Sequence, residues 1–220
     1  NLQVKEQGLS LNDNDLSVRT YSAKSYPSYW SLHAMGELIG DFERDQAQIP
    51  CPFMIHYGVT IPKQEKPKNQ LLAKASYVEK QAYSPIGKYL PSIMAEAEEL
   101  AFVREALNKG ERIVQTQFGV ILMAKPEEMD NAEQILLNLF IAKEWKLEAN
   151  RYLHLPMFLT SLPMLWGQDK VKGLLNLKKL KTTLSTESAN LLPIQGEWKG
   201  TKTPGMLLAG RRGQVFNWYA

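Results

Sequence analysis

From Val114 to Ala124 the chain reads as one long strand. Val114, Thr116, Phe118, Val120, Leu122 and Ala124 fall on one side of an extended backbone, and Gln115 and Gln117 fall on the other. Side chains of a strand point to opposite faces with a period of two, so this pattern calls for a sheet with one buried and one polar face. Phe53, Ile55, Tyr57, Val59 and Ile61 repeat it with His56 and Thr60 opposite, and Leu16–Ser22 and Leu147–His154 are shorter versions. Strands of a parallel sheet, covered on both sides, read instead as continuous apolar runs. The expectation is an antiparallel sheet with one wetter face.

Helical spacing fills the intervals. After Ser28, the residues Trp30, Ala34, Met35, Leu38, Ile39 and Phe42 share a face, which predicts a helix. Beyond the charged linker Lys63 to Asn69, a helix carries Leu71, Leu72, Ala75, Val78 and Ala82 and ends before Ser84-Pro85. A second begins near Pro91, carries Ile93, Ala97, Leu100, Val103 and Leu107, and meets a stop signal at Asn108-Lys109-Gly110. Asp130 and Glu133 have capping-box spacing ahead of the stripe Ile135, Leu136, Leu139, Phe140 and Ala142. Pro156 to Trp166 reads as a short apolar helix or turn. Strand, helix, strand, helical pair, strand, helix, strand is an α+β order. It predicts a ferredoxin-like four-stranded antiparallel sheet with an inserted helical hairpin.

Charge divides the chain. Residues 170 to 220 hold nine Lys and Arg against Glu187 and Glu197, whereas the whole chain is only +3. The expected division is an N-terminal α+β domain over 1–169, then a basic linker helix and the start of a further domain over 170–220. At the far end, Met206 to Ala209 and Val215 to Tyr219 flank Gly210-Arg211-Arg212-Gly213 as a hairpin turn would. Two strands alone are marginal in water. The tail therefore reads as the first hairpin of a domain that continues past Ala220.

The 220 residues are 44% hydrophobic, enough for a folded core. Residues 1 to 15 contain Glu6, Asp13 and Asp15 and lack the apolar stretch of a secretory signal. The longest apolar segment, Leu153 to Trp166, is broken by Pro156 and Pro163 and is shorter than the roughly 20 residues of a membrane span. One cysteine, Cys51, suits a reducing compartment and reads as an incidental thiol.

Chemistry is harder to find. A phosphate-binding loop needs Gly-x-x-x-x-Gly-Lys-Ser/Thr, and the Gly87-Lys88 pair runs into Tyr89 without the earlier glycine. His33, His56 and His154 are scattered, with no zinc spacing to Cys51. Glu96, Glu98 and Glu99 read as the wet face of a helix. No catalytic, cofactor-binding or metal-ligating residue is expected. What remains is an interaction stretch, Lys170, Lys172, Lys178, Lys179 and Lys181, interleaved with leucines and joined by Arg211 and Arg212. Such a pattern suits nucleic acid, an acidic partner or an anionic membrane surface, or else the wet face of an amphipathic helix. Single-strand binding wants aromatics beside the lysines, and none lies between Lys170 and Lys181.

Ser188-Ala-Asn-Leu-Leu-Pro193, Gly196-Glu-Trp-Lys-Gly200, Thr203-Pro204 and Gly210-Arg-Arg-Gly213 resemble the segment preceding the P-loop in TraC-type (TrbE- and CagE-like) conjugative type IV secretion ATPases. Leu159-Thr-Ser-Leu-Pro163 resembles the motif that closes that family's N-terminal domain. The resemblance implies a cytoplasmic ATPase peripheral to the inner membrane, commonly hexameric, that powers pilus assembly and transfer using ATP and Mg. It implies inner-membrane secretion components and other protomers as partners. Since no P-loop occurs in these 220 residues, the chain itself is expected to be non-catalytic and to dock the motor. The alternative is a nucleic-acid-binding module that holds transferred DNA through the basic linker.

Overall fold

The computed structural model describes residues 1–11, 15–39, 48–84, 89–162, 165–194, 201, 203, 205–209 and 215–219. In chain order its elements begin with β1 (Leu2–Lys5), β2 (Gly8–Leu11), β3 (Leu16–Ser25), a 3₁₀ helix (Leu32–Leu38) and β4 (Phe53–Thr60). They continue with α1 (Glu65–Ala82), α2 (Pro91–Asn108), β5 (Ile113–Ala124), α3 (Pro126–Ile141), β6 (Lys146–Ala149) and α4 (His154–Ser161). The remaining elements are α5 (Gln168–Asn176), β7 (Lys181–Leu184), α6 (Ser185–Asn190), β8 (Met206–Ala209) and β9 (Val215–Trp218).

The fold is mixed α/β on a mostly antiparallel sheet. That sheet has seven strands, in the order β1-β2-β3-β5-β4, with β6 also on β3 and β7 also on β5. β3 is its hinge strand. One edge meets β5, from Ser17 opposite Ala124 to Ser22 opposite Gly119. The other edge meets β2 at Leu16 to Val18 and β6 from Tyr21 to Ser25, with a register shift between Ala23 and Ser25. The β1–β2 hairpin and β7 add to the four strands that the alternation marks. β8 and β9 form a separate two-stranded sheet, Met206 opposite Trp218 and Ala209 opposite Val215.

Contacts group the chain into two compact units, residues 1–58, 117–173 and 190–220 in the first and 59–116 and 174–189 in the second. Residues 169 and 170, where the sequence reading divides the chain, lie within α5. In the first unit, Phe118, Val120, Leu122 and Ala124 of β5 meet Met129, Ala132, Leu136 and Phe140 of α3, and Trp145 is buried with them. The period of two on the strand and of three to four on the helix put these residues together. Tyr26, Trp30, Phe118 and Phe140 surround the Trp145 ring at centroid distances of 4.5 to 5.9 Å.

Besides α1, which begins at Glu65 inside the expected linker Lys63 to Asn69, local structure departs from the sequence reading in four places. The helix expected after Ser28 is a 3₁₀ segment, in which residues three apart eclipse, so Met35 and Leu38 both enter the core. α3 starts at Pro126 rather than Asp130, with Glu127 and Glu128 in its first turn, and the expected capping box does not form. Asp130 and Glu133 bind Arg19 of β3 instead, Asp130 at 2.7 Å. The strand expected over Leu147–His154 is only β6, and His154 opens α4.

The fourth departure is the second sheet face, which is polar but not wet. Thr20, Ser22 and Gln117 are buried on it. α4 lies over part of this face, with Leu155 and Phe158 packed on Leu9, Val18 and Ile121. Thr20, Ser22 and the Gln117 Oε1 each meet a buried partner, which offsets the loss of water, while Gln117 Nε2 is buried without a hydrogen bond.

Candidate functional site

The second unit is dominated by α1 and α2, the inserted helical pair. Pro67 sits in the first turn of α1 and Pro91 at the start of α2, where a missing N–H breaks no helical bond. α2 stops at Lys109 and Gly110, whose φ of 102° is the left-handed value that glycine adopts without steric cost. Leu71 of α1 packs with Val103 and Ala106 of α2 around Leu107, while Ala82 and Tyr83 share a cleft with Met94. The start of each helix thus meets the end of the other, and the pair is antiparallel.

Its seam is thin. α1 buries Ala75, Val78 and Ala82, and α2 buries only Leu107. A cleft of about 120 Å³ runs between the helices, its walls including Ala75, Ala97, Ala101, Glu98 and Met94. Tyr77 is 63% exposed and Phe102 64%, with Tyr83 and Tyr89 also open. Lys74 pairs with Glu96 at 2.7 Å and Arg104 with Glu79 at 3.4 Å, across the two helices. Exposed pairs of this kind contribute about 0.5 kcal/mol each.

Two polar clamps, which the sequence reading missed, tie the foot of the pair. The Gln64 side chain donates to the carbonyls of Pro62 (2.7 Å) and Ile113 (3.0 Å) and accepts from the Ile113 N–H (2.8 Å). Glu111 accepts from Ser185 Oγ, Thr186 Oγ1 and the Thr186 N–H, which caps α6. Hydrogen bonds from Ser185 and then Thr186 hold this carboxyl below the usual carboxylate range.

The basic stretch does not form the single linker helix expected of it. α5 carries Lys170 and Lys172, the latter 3.6 Å from Asp169, and ends at Asn176. Lys178 takes φ 55°, and the N–H of Lys179 reaches back to the Leu174 carbonyl at 2.9 Å, a left-handed helix stop. Lys181 then opens β7, opposite Thr116 of β5. Lys170 and Lys172 belong to the first unit and Lys178, Lys179 and Lys181 to the second. Arg211 and Arg212 lie outside the described residues.

Two of the three histidines are buried in the first unit. His154 Nδ1 accepts from the Thr20 N–H at 3.1 Å, and Asn150 bridges Thr20 Oγ1 (3.2 Å) and Ser22 Oγ (2.9 Å). Burial, followed by the nearby Arg19 charge, lowers the pKa of His154. His56 Nε2 meets Gln117 Oε1 at 3.1 Å, and its ring lies over Gly119, where a Cβ would sit 2.2 Å from the imidazole. Burial pushes its pKa down to about 4, offset in part by the Gln117 hydrogen bond. Both rings are neutral packing groups, with His56 Nδ1 and His154 Nε2 sealed from solvent. The Cys51 thiol is raised by burial, which disfavours the reactive thiolate.

The TraC protein family profile matches residues 1–166. The chain belongs to the TraC family. It is 27% identical over 207 residues to Protein TraC of Escherichia coli (strain K12), an alignment covering 92% of this chain and 23% of that protein. The chain thus spans about a quarter of the length of this curated relative. The family match covers β1 to α4, including the helical pair, and ends before the tail motifs on which the sequence reading chiefly based the resemblance. Lys170 to Lys181 lie outside the matched residues. TraC membership agrees with a role in conjugative transfer by type IV secretion. Among the described residues, no helix is long and apolar enough to cross a membrane.

Proposed function

We propose that this chain is the non-catalytic docking part of a larger TraC-type secretion ATPase, and that the α1–α2 hairpin presents the docking surface. The observation that carries this is the exposure of the hairpin: two 18-residue helices bury four side chains between them and leave Tyr77 and Phe102 in solvent. Aromatic side chains contribute large contact area at low entropic cost, and exposed ones mark interaction surfaces. The 23% share of the E. coli protein supports the reading as part of a longer chain. ATP and Mg would be bound by that longer protein. The partners are inner-membrane secretion components and neighbouring protomers, met at the cytoplasmic face as a peripheral protein. In this reading, the β6-β3-β5-β4 order is a ferredoxin-like core with β1, β2 and β7 added.

A pull-down of the 220-residue chain against the other secretion components tests the docking role. Capture that falls with Tyr77→Ala and Phe102→Ala is expected. No capture, together with capture by a TraC-type protein lacking residues 1–169, rejects it.

A further inference from the structure

The connection between α4 and α5, residues 162–167, is held to the sheet by one side chain. The Trp166 indole presses on Gly58 of β4, where a Cβ would lie 2.3 Å from the six-membered ring. On either side of Trp166 the chain is open: Leu165 is 39% exposed, and nothing lies within 4 Å of where a Cβ of Gly167 would sit. The backbone hydrogen bonds around it are local. The Leu162 N–H reaches the Leu159 carbonyl and the Leu165 N–H the Leu162 carbonyl, both at 3.4 Å, and the Gly167 N–H reaches the Leu165 carbonyl at 3.0 Å. At the end of α4, the Thr160 and Ser161 hydroxyls donate back to the Met157 and Phe158 carbonyls, each at 2.7 Å. Among the described residues, none of these bonds reaches β4.

The docked indole also leaves polar groups dry. Its Nε1 is buried without a hydrogen bond. His56 lies two residues from Gly58, hence on the same face of β4, and its Nδ1 has no partner, nor has the Nε2 of Gln117 beside it. Docking Trp166 therefore gains apolar contact and loses hydration at one spot, opposed terms of comparable size. We propose that Trp166 is a latch, docked on Gly58 to hold the α4–α5 connection against β4 and released to let that connection swing free while the sheet stays intact. Release breaks no backbone bond to the sheet, and it returns water to the indole N–H and to the flank of His56. Six extended residues span roughly 20 Å, so the chain leaves the first unit in a held or a loose state. The latch lies at residue 166, where the family match ends, and does not depend on the docking role of the helical pair.

The 220-residue chain has five tryptophans, so 5-fluorotryptophan labelling and 19F NMR test the latch, with the Trp166 line assigned by its loss in Trp166→Phe. In the parent, saturation transfer should show this line exchanging with a minor, solvent-exposed one, while the enclosed Trp145 line shows no exchange. Gly58→Val suits a strand but fills the seat of the indole. It should move the Trp166 line to the solvent-exposed position and speed amide exchange over 165–171 at least about tenfold, with β3 and β5 as protected as in the parent. Trp166→Ala should speed the same amides equally, and combining the two changes should add nothing, since both remove one contact. The parent line and Trp166→Ala decide the proposal even where Gly58→Val fails to fold. A Trp166 line that does not exchange in the parent overturns it. So does a Trp166→Ala chain in which β3 and β5 lose protection along with the connection, because the indole is then part of what holds the sheet together.

Discussion

The two compact units differ in how they spend their apolar residues. In the first, Trp145, Tyr21, Phe118, Phe140 and Met35 are fully enclosed, and α3 packs Met129, Ala132, Leu136 and Phe140 into the same core. In the second, the core is Leu107, Ile113 and Leu184, edged by Leu71, Val103 and Ala106, and the largest side chains of the helical pair face outward. A core of three aliphatic residues stabilises far less than one built around an aromatic cluster, since the gain follows the apolar area removed from water. The larger apolar core lies in one unit, and the more exposed aromatic surface lies in the other.

Breaking the first core should have the largest effect. Trp145→Ala is expected to cost about 4 kcal/mol, read as a lower midpoint in urea denaturation with loss of the near-ultraviolet aromatic signal. An effect below about 1 kcal/mol would end the contrast between the units.

Acid sharpens the same contrast. His56 titrates near 4 in the folded chain against an ordinary 6.5, so the unfolded chain binds its proton first as pH falls. Its contribution is complete above 6.5 and is lost on going down to about 4, a difference of about 3 kcal/mol at 1.36 kcal/mol per unit. Urea midpoints measured through this window should fall in the parent and fall less in His56→Gln.

The second unit should respond more weakly and locally. Leu107→Ala is expected to cost about 2 kcal/mol, seen first as faster amide exchange in α1 and α2 while β3 and β5 stay protected. Phe102→Ala should change stability by less than about 0.5 kcal/mol while reducing capture of partners, because its ring is already in solvent. The smallest effect is a gain. Glu144 holds φ 62° at the end of α3, just before Trp145, and Glu144→Gly should stabilise by about 1 kcal/mol in thermal denaturation.

Much of the architecture is legible because its signals are local. The even-numbered positions of β5 gave the buried face, Pro91 and Gly110 bracketed α2, and Met206 to Ala209 with Val215 to Trp218 formed the expected hairpin. The signal for β1 and β2 was present too, in the alternation of Leu2 and Val4 with Leu9 and Leu11 around Gly8. The capping box failed because Arg19, 111 and 114 residues away in sequence, offered Asp130 and Glu133 a stronger charged partner than a backbone N–H. The basic stretch failed as one helix because β5 left an edge at Ile113–Thr116 that Lys181–Leu184 could complete. Neither competitor is visible in a window of fifteen residues.

By itself the sequence determined the periods: which residues of β5 share a face, where each helix of the pair stops, and that the two helices carry opposite charge. Tertiary structure decided which polar residues are dry and which apolar ones are wet. Thr20, Ser22 and Gln117 are buried where His154, Asn150 and His56 arrive from distant parts of the chain to hydrogen-bond them, Gln117 through its Oε1 alone. Tyr77 and Phe102 stay open because no third helical layer covers their side of the pair among the described residues. Burial depends on which surfaces meet, and that is set by contacts far apart in sequence, whereas periodicity is set by backbone geometry one residue at a time.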